Sequence, residues 1–108
     1  MTAEQFLEMC RNIPGAVLDK PFSGDFDSVV CRHADSRKWF ALLMLRDGKY
    51  IVNLKCEPQE AELLRKLFKG VTPGYHMNKR HWNTVLLGSD LPDEELRRMT
   101  LNSFRLTG

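Results

Sequence analysis

No run in this 108-residue chain approaches the ~20 apolar residues needed to cross a bilayer, so no membrane span is expected. Glu4 and Glu8 interrupt the first dozen residues where a secretory leader needs an unbroken apolar stretch, which makes the cytoplasm the expected compartment. Cysteine is scarce and odd in number. Cys10, Cys31 and Cys56 cannot close a disulfide framework, show no Cys-x-x-Cys spacing, and read as three separately packed free thiols. His76 and His81 would face opposite sides of a strand, so no metal site is expected. Asp25 and Asp27 read as loop residues, and Asp93, Glu94 and Glu95 as the first turn of a helix. Phe22-Ser23-Gly24-Asp25 lacks the glycine spacing and lysine of a phosphate-cradling loop, and Ser28, Ser36, Ser89 and Ser103 sit in no nucleophile elbow. Sixteen Lys and Arg against fourteen Asp and Glu leave only +2, too little for a nucleic-acid binder that works by bulk charge. No cofactor and no enzymatic activity are expected.

The chain is 43% hydrophobic and 28% charged, enough for one core, and is read as a single domain over residues 1–108. Thr2 and Gln5 can form a capping box ahead of Phe6, Met9, Cys10 and Ile13, which share one helical face until Pro14-Gly15 stops the helix. FDSVVCRH, KWFALLML and KYIVNLKC read as three strands, the last two joined by a tight Asp47-Gly48 turn, with residues 33–37 as another turn. Ala41 to Leu45 is continuously apolar, implying a strand covered on both sides or an interface. A second helix is expected from Pro58 to about Phe68, with Ala61, Leu64 and Leu67 or Phe68 inward. Val71 to Gly74 reads as a turn and His81 to Leu87 as a final strand. Asp90 is the expected cap of a last helix whose inner residues are Leu96, Met99 and Ser103, with Leu101 and Phe104 alongside. This order makes an α+β fold, a central antiparallel sheet backed by helices.

The densest chemistry lies in Pro73-Gly74-Tyr75-His76-Met77-Asn78-Lys79-Arg80-His81-Trp82-Asn83, which has no acidic residue. Lys79 and Arg80 are suited to phosphate, His76 and Asn78 to directional contacts, and Tyr75 or Trp82 to stacking on a base. The competing reading makes Trp82 a core anchor with Val85 and Leu87, and His76 a turn residue.

This segment, with Ile13-Pro14-Gly15, Phe40-Ala41-Leu42-Leu43, Val52 to Pro58, Leu91 to Leu96 and Ser103-Phe104, resembles the MmcQ/YjbR family of small bacterial proteins over nearly the whole chain. The resemblance implies a CyaY-like α+β fold and carries the family label of DNA-binding protein. Asn53, Lys55, His76, Asn78, Lys79, Arg80, His81 and Trp82 match the family's polar and aromatic signature. Val30 to Trp39 departs from the family's compact hairpin, and there Arg32, His33, Arg37 and Lys38 could extend a basic surface. The expectation is a DNA-binding module, monomer or weak homodimer, that contacts phosphate through Lys55, His76, Asn78, Lys79, Arg80, Arg37 and Lys38. The alternatives are a protein-partner or small-ligand module and, after it, an uncharacterised enzyme.

Overall fold

Thr2 and Gln5 cap each other: Gln5 N–H donates to Thr2 Oγ1 (3.1 Å) and Thr2 N–H donates to Gln5 Oε1 (2.9 Å). This is the expected capping box, and it opens α1, Ala3–Arg11. The computed structural model describes residues 1–20 and 27–108. The readings placed on residues 22–25 and on the start of the FDSVVCRH segment therefore lie outside the described residues. After α1 the chain forms β1 (Ala16–Asp19), β2 (Val29–His33), β3 (Trp39–Arg46), β4 (Lys49–Lys55), α2 (Pro58–Leu67), β5 (Val71–Pro73), β6 (Trp82–Leu86) and α3 (Asp93–Thr107).

The strands make one antiparallel sheet in the order β1-β2-β3-β4-β6-β5. Because side chains alternate across a pleated sheet, the pairings sort residues into two faces. Val29, Leu43, Val52, Val85 and Val71 form one continuous row across the sheet, and Cys31, Ala41 and Leu54 the next. Phe6 and Cys10 of α1, Ala61 and Leu64 of α2, and Leu96 and Met99 of α3 pack on this face. Each fully buried large side chain there, such as Phe6, Leu43 or Leu54, contributes about 1.5–3 kcal/mol. The register slips between Cys31 and Arg32, so Phe40 and Ala41, neighbours in sequence, both enter the core. Ser103 Oγ donates to the Phe40 carbonyl and accepts from Lys55 N–H (2.8 Å), fastening α3 across β3 and β4.

The α+β architecture expected from the sequence is the one adopted, with two extra strands. β1 and β5 are short edge strands: β1 lacks burial alternation, and β5, read as a turn, carries Pro73, which an edge strand tolerates. Asp47 (φ 52°) and Gly48 (φ 76°) are both left-handed, as the expected two-residue hairpin requires.

Several side-chain placements differ from expectation. Asp90 does not cap α3, whose N-cap is Pro92; its carboxylate instead accepts from the backbone N–H groups of Lys69 and Gly70, both at 2.8 Å. Leu67 and Leu101 are exposed, and Phe68 takes the inward position after α2. Cys10 and Cys31 are not packed separately: the neighbouring Cys31 thiol, together with burial, pushes the Cys10 thiol far above its ordinary pKa. Cys56 is raised to about 11, first by burial and then by Glu60. Trp82 is no core anchor; it lies half-buried on the sheet face away from the helices, paired with Lys55.

Candidate nucleic-acid interface

The far face of the sheet carries an unusual row: Leu42, Asn53, Thr84 and Thr72 lie side by side on β3, β4, β6 and β5. Asn53 is fully buried there because the 74–81 loop folds back over it. Asn53 Nδ2 donates to the Tyr75 carbonyl (2.9 Å), Tyr75 N–H donates to Thr84 Oγ1 (2.8 Å), and Thr84 Oγ1 donates to Asn53 Oδ1. Each buried polar group in this ring is satisfied by another, which is the condition for burying it at all.

From the helical side, Arg65 of α2 holds the same loop. Its Nε donates to Asn83 Oδ1 (2.7 Å), and its Nη2 reaches the carbonyls of Lys79 and Trp82. Asn83 completes the tie by donating to the Ala61 carbonyl (3.3 Å). Gly74 is required by close approach: a Cβ there would stand 2.8 Å from Trp82 Cβ and 3.0 Å from its carbonyl oxygen.

These bonds sort the expected site residues. Asn78 is used inside the loop, its Oδ1 accepting from the N–H groups of Arg80 (3.0 Å) and His81 (3.3 Å). Lys79 Nζ donates to the Gly74 carbonyl (3.0 Å), leaving the ammonium two further donors. His76 (φ 59°) is exposed, its ring 4.0 Å from that of Tyr75, whose ring also has the Arg46 guanidinium 4.0 Å from its centre. Arg80 and His81 are exposed. The histidines lie in the loop, not on opposite faces of a strand, and no metal-ligand cluster occurs among the described residues.

Lys55 and Lys38 meet at one end of the sheet. With Trp39, Met77 and Trp82 they line a groove of about 440 Å³ that ends against the last residues of α3. Met77 links this groove to the 74–81 loop, so the two parts of the expected surface adjoin. Arg37 points elsewhere: it pairs with Asp19 Oδ2 (3.0 Å), which also takes Arg32 Nε at 2.7 Å. His33 does not extend the basic surface. It is buried, stacked 4.0 Å from Phe104, and shares a 2.8 Å hydrogen bond with Thr107.

The sequence reading did not single out a second basic groove on the same sheet face. Arg46, Lys49 and Lys69 line it with Thr72 and Thr84, in about 320 Å³. The available signal was the Asp47-Gly48 turn, which sets Arg46 opposite Lys49 and puts both on the face of Asn53 and Lys55. Arg65 was not among the expected site residues either, because its partners lie on β6 and the loop.

The YjbR family model matches residues 11–106. The chain is 31% identical to the Bacillus subtilis protein YyaQ, covering 99% of this chain and 98% of that one. It is 34% identical to Escherichia coli YjbR over 89% of this chain and 78% of that protein. A crystal structure of a Pseudomonas syringae protein superposes with a TM-score of 0.91 at 35% identity, covering all of both chains. A Deinococcus radiodurans crystal structure gives 0.84 at 28% identity, covering 97% of this chain and 77% of that one. With the family pattern spanning both the sheet and the loop tied to its far face, this chain belongs to the YjbR family.

Proposed function

We propose that this chain is a non-enzymatic DNA-binding module whose contact surface is the sheet face opposite the helices. One observation carries the reading: the groove at the sheet end is lined by Lys38, Lys55, Trp39 and Trp82, with no acidic side chain among the described residues. Lysines attract phosphate, indole offers a stacking surface, and the absence of carboxylates removes the repulsion that would oppose a polyanion. Lys79 and Arg80 on the adjoining loop add charge, whereas Arg37, held by Asp19, contributes less than its sequence position implies. Glu60 and Glu62 of α2 are matched by Arg65 and Lys66, and Asp93, Glu94 and Glu95 of α3 by Arg97, Arg98 and Arg105, so neither helix carries an excess of either sign and the reading rests on the local clustering of cations on the sheet face.

The test is a salt-series titration of fluorescent DNA by wild type, Lys38→Ala/Lys55→Ala and Lys79→Ala/Arg80→Ala, with circular dichroism reporting retained fold. Wild type should bind at low salt and weaken as salt rises. Each lost phosphate contact should lower the logarithmic salt slope by about 0.7 for a single strand and about 0.9 for duplex. Absence of wild-type binding at low salt, or identical slopes in all three proteins, rejects the reading and brings forward a protein-partner or small-ligand role.

A further inference from the structure

We infer that the bound DNA is a single strand laid along β4, with a second phosphate-binding site in the groove of Arg46, Lys49 and Lys69. This inference rests on the DNA-binding reading above and goes beyond it by naming the form of the ligand and another site. Lys49, Ile51, Asn53 and Lys55 alternate onto one face of β4, so the two cationic grooves stand at opposite ends of the same strand. Six residue steps of extended chain separate them by roughly 20 Å, a span of a few nucleotides.

Charge complementarity supports an anionic occupant at the second end. Three cations line that groove against one carboxylate, Asp47, which lies 3.9 Å from Arg46 and is almost fully exposed. Asp90, next to Lys69, is already engaged by two backbone N–H groups. Between the grooves the tethered loop rises over Asn53 and carries the Tyr75–His76 ring pair, with Trp82 on its Lys55 side. The surface is thus a ridge between two positive hollows. Duplex DNA, with a persistence length of about 150 bp, does not bend over such a ridge within ~20 Å without a large deformation cost, and its bases are closed to aromatic side chains. A single strand bends readily and presents base faces to the exposed His76 ring and to Trp82 while its phosphates reach both ends.

The experiment measures binding of oligothymidylates of about 4 and about 12 nucleotides and of a blunt duplex, within the ~4–16 nucleotide range of known single-strand sites. Wild type is compared with Lys49→Ala/Lys69→Ala and with Lys66→Ala/Arg97→Ala, which removes equal charge from the helices. The longer oligonucleotide should bind wild type about tenfold tighter than the shorter, and tighter than the duplex. Lys49→Ala/Lys69→Ala should erase most of that length gain and lower the salt slope for the longer strand by about 1.4, while the helix control keeps both. Wild-type binding without a length gain, an unchanged gain in Lys49→Ala/Lys69→Ala, equal losses in the helix control, or preference for duplex overturns this inference and leaves the DNA-binding reading standing. If wild type binds no DNA at low salt, both fall.

Discussion

Arg65 satisfies three oxygens on β6 and the loop while belonging to a helix on the opposite side of the sheet edge. Removing it leaves Asn83 Oδ1 in a fully buried residue without its charged donor, a penalty of about 1–3 kcal/mol. Arg65→Ala should therefore lower the unfolding free energy measured by urea titration by that amount and speed amide exchange in the 74–81 loop. Lys at this position cannot reproduce the forked geometry and should rescue only part of the loss. Asp90 offers a test by pH. The Gly70 and Lys69 N–H groups hold its carboxyl below the ordinary carboxylate value, so its contribution is present above that value and lost as pH falls through the depressed one. Thermal melts of wild type and Asp90→Asn should converge below pH ~4 and separate above it, with wild type the more stable. The thiols should be silent in the native protein: Cys10 and Cys31 are fully buried, and the raised pKa values of Cys10 and Cys56 keep their nucleophilic thiolates scarce. An aromatic disulfide reagent at neutral pH should titrate all three cysteines only after unfolding.

The elements differ in how much each owes to local pattern. In the hairpin of β3 and β4, Gly48 sits at φ 76° with open space around its α-carbon, so Gly48→Ala should cost about 1 kcal/mol through backbone strain alone. Gly74→Ala should cost more, about 1–3 kcal/mol, since the added methyl meets Trp82 at contact distances that require the loop to shift. Denaturant titration of the two variants separates a local conformational cost from a packing cost. The same division governs what was legible in the sequence. The capping box of α1, the Asp47-Gly48 turn and the apolar stripes of α2 and α3 follow from neighbours in the chain, and all were readable. β1 and β5 were not, because four and three residues at sheet edges carry too little alternation to declare themselves. Trp82 followed the pattern of Val85 and Leu87 only in type: strand register places it on the other face from Val85. At the site, Lys38 and Lys55 could be named from the sequence, but their meeting with two tryptophans depends on pairings among β3, β4 and β6. The sequence makes Asn78 a ligand-contacting group and gives Asn53 and Asn83 no structural role, because an amide that holds a loop and an amide that reads a ligand are the same residue type.

For the whole molecule, most of the apolar run of β3 is covered within the chain: Ala41 and Leu43 pack toward the helices and Leu42, on the far face, is only 6% exposed, while Leu45 at its end stays 42% exposed. Sedimentation over a wide concentration range should give a monomer; a concentration-dependent shift would instead point to the exposed Leu63 and Leu67 on α2. The cations clustered on the sheet face predict an association with any polyanion that slows steeply as salt screens them.

The 74–81 loop is gripped from below and from the side, through its carbonyls and N–H groups, by Asn53, Thr84 and Arg65. His76, Arg80 and His81 stay on its outer surface. Form and vocabulary are thereby separable in this molecule: substitutions on the outside can rewrite what the loop says to a ligand without disturbing how it stands. Exchanging the outward side chains of Arg80 and His81 should therefore change what the loop offers a ligand while its ties to Asn53, Thr84 and Arg65 persist.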